Sequence, residues 1–119
     1  MAGERLPAGE RLKGRISFQK LMREGVGVED DYLVIRYLPQ PDDSSNRRSG
    51  VAVSRNCRNA VKRNKLRRWL REIYRRERDL LPTRGEFLFI AKSNAQDVSY
   101  VDLNQSFQAL CIQLTEKSG

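Results

Sequence analysis

Arg58-Asn59-Ala60-Val61-Lys62-Arg63-Asn64-Lys65-Leu66-Arg67-Arg68-Trp69-Leu70-Arg71 decides how this chain folds, together with Gly50-Val51-Ala52-Val53-Ser54 before it and Glu86-Phe87-Leu88-Phe89-Ile90-Ala91-Lys92 after it. The middle stretch sits in a longer run, residues 55–78, without Gly or Pro and rich in Arg, Lys, Leu and Glu, all good helix formers. Asn56 or Ser54 is placed to cap its start, and Pro82, just past Leu81, stops it. The flanking stretches are β-branched, aromatic and short, which reads as strand. A strand, a helix and a strand in that order predict a crossover within one sheet.

At about 100° per residue, Leu66, Trp69, Leu70, Ile73 and Tyr74 fall within an arc of roughly 140°. Asn64, Lys65, Arg67, Arg68, Arg71, Arg75, Arg76 and Arg78 lie outside it, so one side of the helix, Trp69 included, is predicted to enter the core while the other carries guanidinium and ammonium groups. Residues 55–78 hold eleven Lys or Arg against two Glu, a net +9, whereas the whole 119-residue chain carries +8 from 23 basic and 15 acidic residues. One segment thus supplies the entire surplus. Like charges at i,i+4, such as Arg67–Arg71 and Arg71–Arg75, destabilise an isolated helix. A solvated helix face is the ordinary fate of a charge run, but a band nearly free of acids points to a polyanion, and nucleic acid is the polyanion it fits.

Working outward, residues 1–10 read as a mobile arm, 11–116 as a single domain and 117–119 as a tail. Arg15–Glu24 is predicted as a short helix with Ile16, Phe18, Leu21 and Met22 as its apolar residues, ended by Gly25. Asp31–Leu38 reads as a strand, Pro39–Ser49 as a turn-rich loop, and Gly50–Ser54 as a strand returning on the first to make a hairpin. Residues 98–116 close the domain as a helix. Alternation puts Leu33, Ile35 and Tyr37 on one sheet face and Val34, Arg36 and Leu38 on the other. The first face suits a helix-covered core, and the second, with Gly50, Ala52 and Ser54, an open groove.

Two features bound the chemistry. The chain has no histidine, which removes serine–histidine and cysteine–histidine catalysis and most zinc-enzyme sites. Its two cysteines, Cys57 and Cys111, lie far apart and are expected as buried free thiols. Neither a signal peptide nor a membrane span is expected, so the predicted location is the cytoplasm. A metal-dependent nuclease built from Asp30, Asp31, Asp42 and Asp43 is a weaker reading, because nothing in the sequence fixes their geometry.

The central stretch also resembles the signature of the bacterial ribonuclease P protein component, an Ala-x-x-Arg-Asn core followed by paired basic residues and an aliphatic–basic step. Ala60, Arg63, Asn64, Arg67, Arg68, Leu70 and Arg71 match at that spacing. Arg11-Leu12-Lys13, Phe18, Gly25 and Gly50–Ser54 look like further landmarks, so the resemblance covers roughly residues 11–115. It departs at Lys65, where the family has Arg, at Met22, often Phe, and at Arg36, often Tyr. The resemblance implies an α+β two-layer sandwich like the second domain of ribosomal protein S5. Its order would be helix–hairpin–helix–strand–helix, with a left-handed strand–helix–strand crossover against the general rule.

It further implies a monomeric, non-catalytic subunit, one per catalytic RNA, in a complex that uses Mg²⁺ on the RNA to remove the 5′ leader of precursor tRNA. Arg63, Asn64, Lys65, Arg67, Arg68 and Arg71, flanked by Arg55 and Lys62, would contact the catalytic RNA. Lys13, Phe18, Met22, Val34 and Arg36 would line the leader groove. The alternative is a ribosomal or other structured-RNA binder with no processing role.

Overall fold

The computed structural model describes residues 14–39 and 47–118. The predicted arm at 1–10, Lys13, and the loop tip with Asp42 and Asp43 lie outside these residues. Helix α1 (Gly14–Glu24) leads into strands β1 (Val26–Glu29), β2 (Leu33–Leu38) and β3 (Arg47–Val53). Helix α2 (Ala60–Glu77), strand β4 (Gly85–Ala91) and helix α3 (Tyr100–Ser118) complete the order. The four strands form one sheet, β1-β2-β4-β3. Strands β3 and β4 are parallel and joined by α2, the crossover anticipated from the sequence.

The expected hairpin between the 31–38 and 50–54 strands is not formed. β4 lies between β2 and β3, antiparallel to the first and parallel to the second. The reason lies in its composition: Phe87, Leu88 and Phe89 are all buried, and a strand apolar on both faces belongs at a sheet's centre. β2 does make a hairpin, but with β1, a four-residue strand not foreseen in the sequence. β3 begins at Arg47, inside the predicted loop, because β4 extends its ladder through Arg47↔Gly85, Arg48↔Glu86 and Ser49↔Phe87. Gly85 must be glycine: its φ is 124°, and a Cβ there would sit 2.5 Å from Tyr37 Cε1. Helix α3 runs to Ser118, past the tail boundary expected at 117.

Helices α2 and α3 cover one face of the sheet. Leu33, Ile35, Tyr37, Phe87 and Phe89 meet Leu66, Leu70, Ile73 and Tyr74 of α2 and Leu103, Phe107 and Leu110 of α3. Phe89 is the hub, with its ring 5.3 Å from Tyr74 and 5.1 Å from Phe107, centroid to centroid. Helix α1 lies on the other face, where Leu21 packs on Leu38 and Leu88. Both cysteines are buried free thiols, as expected. Burial, with a contribution from Glu77, pushes the Cys111 thiol up to about 12, so it stays protonated and unreactive.

The β1–β2 turn is tied to α3 by Asp30. Its carboxylate accepts from the backbone N–H groups of Tyr32 and Leu33, both at 2.9 Å, and from the Ser106 hydroxyl. Burial pushes the Asp30 carboxyl up, but these hydrogen bonds and the Lys92 charge outweigh it and hold it below the usual value. A depressed carboxyl contributes stability above its unfolded value and loses it as pH falls through the folded one. Asp30→Asn is therefore expected to be less stable than wild type near neutrality. In urea unfolding the gap should narrow between about pH 5 and pH 2; a constant gap would remove the assigned role.

Candidate nucleic-acid interface

α2 starts later than its charge run. Ser54 Oγ accepts from Asn56 N at 3.1 Å and closes a turn, and Cys57 then enters the core with no exposed surface. The cap falls to Asn59, whose Oδ1 accepts from Lys62 N at 3.0 Å, rather than to Asn56 or Ser54. Arg55 and Arg58 consequently precede the helix, both exposed. The buried stripe of α2 is Leu66, Leu70, Ile73 and Tyr74, as the periodicity predicts. Trp69, expected in the core, is only half-buried at its margin.

The sequence-predicted residues divide around this stripe. Arg63, Arg67 and Arg71 follow one another at i,i+4 spacing along one flank, with Asn64 beside them. Arg63 is half-buried and its Nε is shielded without a partner, while Arg67 Nη1 donates to Asn64 Oδ1 at 3.4 Å. Arg68 and Arg71 are exposed and meet no acid among the described residues. Lys65 lies on the opposite flank, its Nζ 4.8 Å from the centre of the Trp69 ring. Lys62 is less available than the sequence suggests, because its Nζ is 2.5 Å from Asp97 Oδ1. The carboxylate gains by this too: the Lys62 hydrogen bond and charge hold Asp97 below the ordinary range.

The second region is the sheet face under α1. Residues paired across strands share a face, so Val34, Ile90 and Ala52 form one row and Arg36, Leu88 and Gly50 the next. The β3 residue is the smallest in both rows, Ala52 in one and Gly50 in the other, which leaves room on that face. Phe18 and Met22, one turn apart on α1, are each 41% exposed. Phe18 and Met22 on α1 and Val34 on β2 thus lie on the same side of the sheet, which they share with Ile90, a residue that sequence reasoning did not single out.

Arg36 shares that face, but its guanidinium is committed. Nη2 donates to Met22 O at 2.8 Å and Gly25 O at 2.9 Å, with Leu21 O at 3.4 Å. Met22 O and Gly25 O lie at and just past the end of α1, where carbonyls lack an intrahelical donor, while Leu21 O also accepts from Gly25 N at 2.9 Å; a cation there also meets the favourable end of the helix dipole. Arg36, which the resemblance assigns to the leader groove, thus also clamps the helix that carries Phe18 and Met22. Gly27, opposite Arg36 on β1, leaves the space, since a Cβ there would lie 2.7 Å from Arg36 Nη1.

The weaker nuclease reading finds no support in this geometry. The Asp30 carboxylate is occupied by Tyr32, Leu33 and Ser106. No group of three or more His, Cys, Asp or Glu is gathered for a metal among the described residues. No helix among them is long and apolar enough to cross a membrane. Arg36→Met, which keeps the stem and removes the fork, is expected to cost about 1.5–3 kcal/mol, the range for a charged hydrogen bond. Amide exchange at residues 21–25 should rise with it, and unchanged exchange would contradict the clamp.

Comparison with known proteins agrees with this arrangement. Residues 6–115 match the family model described as Ribonuclease P. A ribonuclease P protein component from Coprothermobacter proteolyticus is 36% identical over 88 residues, 74% of this chain and 70% of that one. One from Bacillus velezensis is 34% identical over 100 residues, 84% of each chain. The solved ribonuclease P protein of Thermotoga maritima superposes with a TM-score of 0.75 at 29% identity, covering 87% of this chain and 96% of that one. With its basic crossover helix, four-stranded sheet and matching signature, the chain belongs to the ribonuclease P protein component family.

Proposed function

We propose that this protein binds ribonuclease P RNA through α2 and the 5′ leader of precursor tRNA through the sheet face beside α1, assisting endonucleolytic release of the leader. The observation that carries the reading is the pair Arg68 and Arg71, exposed, facing no acid among the described residues, and mounted on a helix seated by four buried side chains. A guanidinium held in this way meets two phosphate oxygens at once and loses little freedom in doing so. Arg63, Asn64 and Arg67 extend the contact along one flank, Lys65 adds a charge on the other, and Arg55 reaches from the preceding turn. Lys62 joins only by exchanging Asp97 for phosphate.

Phe18 and Met22 supply apolar surface for unpaired leader bases, with Val34 on the same side of the sheet and Lys13 assigned to the same groove. A base stacked on Phe18 is worth about 1–3 kcal/mol. Arg36 acts here through α1, by fixing the height and angle of Phe18 and Met22. The Mg²⁺ of the reaction is assigned to the RNA, as the family resemblance implies. The protein acts in the cytoplasm as one copy per RNA, without cleavage activity of its own. Tight binding to ribosomal or other structured RNA remains the second reading of the α2 band.

Affinity for ribonuclease P RNA should fall on the order of a thousandfold between about 50 and 200 mM salt if about six phosphates are neutralised, by the duplex slope. Arg67→Ala/Arg68→Ala should weaken binding and flatten that slope while leaving the circular dichroism melt in place. Phe18→Ala should reduce affinity for precursor tRNA only when a leader is present. Salt-independent affinity would sink the α2 assignment, and leader-independent effects of Phe18→Ala would sink the groove.

A further inference from the structure

Trp69 is the chain's single tryptophan, and its position is not that of a core filler. The ring stands at the core's margin and meets Tyr100 of α3 edge-on, with centroids 5.5 Å apart and planes at 90°. Lys65 places its ammonium over the indole, 4.8 Å from the centroid. Arg76, farther along the same side of α2, donates from Nη1 to the Tyr100 hydroxyl at 3.3 Å. Two rings therefore meet across the seam between α2 and α3, with a cation at either end. Glu72, the acid on this side of the helix, turns its carboxylate to Arg75, at 2.7 Å from Nη2.

We propose that Trp69, Tyr100, Lys65 and Arg76 form a second contact with ribonuclease P RNA, one that takes an unpaired nucleotide. This rests on the reading of α2 as the RNA-binding helix. An aromatic face accepts any base, and the flanking cations meet the phosphates on either side of it. Lys65 holds the ring face by a cation–π contact, and its flexible stem lets the ammonium swing to a phosphate as a base takes its place. Arg76 is already held by Tyr100, so it gives up less freedom on binding than a free arginine. The RNA subunit is the source rather than the leader, because the seam lies on the sheet face opposite α1 and is continuous with the α2 band.

The single tryptophan makes the test direct. Wild-type protein is titrated with a bacterial ribonuclease P RNA while Trp69 emission and its quenching by acrylamide are read. Binding should change the emission saturably and shield the indole, whereas precursor tRNA alone should not shield it. Trp69→Leu should weaken RNA binding about tenfold, and Trp69→Phe, which keeps a ring, should recover most of the loss. Unchanged acrylamide access at saturation overturns the contact, and does so on wild-type protein even if the Leu variant fails to fold. Shielding by precursor tRNA alone overturns the assignment to the RNA subunit.

The two readings separate cleanly. Wild-type affinity in Trp69→Leu with a loss in Arg67→Ala/Arg68→Ala overturns the contact and leaves the band intact. A loss in Trp69→Leu with wild-type affinity in the double variant supports the contact and moves the binding energy to the seam.

Discussion

The seating of α2 on β4 is the interaction on which the rest depends. Tyr74 meets Phe89, Phe89 meets Phe107, and Leu66, Leu70 and Ile73 are fully buried around them. Each like-charged i,i+4 pair on the outer side costs about 0.2–0.5 kcal/mol, while each large apolar side chain buried on the inner side contributes about 1.5–3 kcal/mol. Four such side chains outweigh the repulsion several-fold. A helix with this much positive charge would fray in isolation; held against the sheet, it stays ordered before any anion arrives. In the proposed complex the RNA relieves this repulsion, which converts part of the helix's strain into affinity.

The sheet separates two tasks. One face is dry and packed with rings, and it fixes the crossover helix. The other is only partly covered, because α1 is short and buries Leu21 alone among the side chains described on it, leaving Phe18 and Met22 exposed. Small residues on β3 keep that face open, and Arg36 holds α1 in place by its own carbonyls. A single alternation along β2 thus sends Ile35 to the core and Arg36 to the clamp. The α2 band and the face beside α1 share one scaffold without competing for it.

Much of this is legible in the sequence, and the exceptions have physical causes. The α2 stripe at Leu66, Leu70, Ile73 and Tyr74 follows from periodicity, since a 3.6-residue repeat survives in any context that offers one apolar surface. The parallel β3–α2–β4 unit follows from order and length. Strand partners do not: β2 and β3 are each compatible with one another, and only the competition for β4's two edges, won because Phe87, Leu88 and Phe89 need cover on both faces, sets the order. β1 escapes a sequence reading because four residues with a glycine carry no strand signal without β2 beside them. The roles of Arg36 and Lys62 depend on where α1 ends and where Asp97 comes to lie, both tertiary facts. Arg63, Asn64, Arg67 and Arg71 share a flank because their spacing is local to one helix, and local spacing is what a sequence displays.

The central claim is that a protein with a partner-seeking basic helix assists an RNA that does the chemistry. The most direct test is cleavage of 5′-labelled precursor tRNA at low Mg²⁺ by a bacterial ribonuclease P RNA, with and without this protein, beside a lane with protein alone. The account predicts faster release of the intact leader only when RNA and protein are both present. Cleavage by the protein alone, or no stimulation despite tight RNA binding, would contradict it.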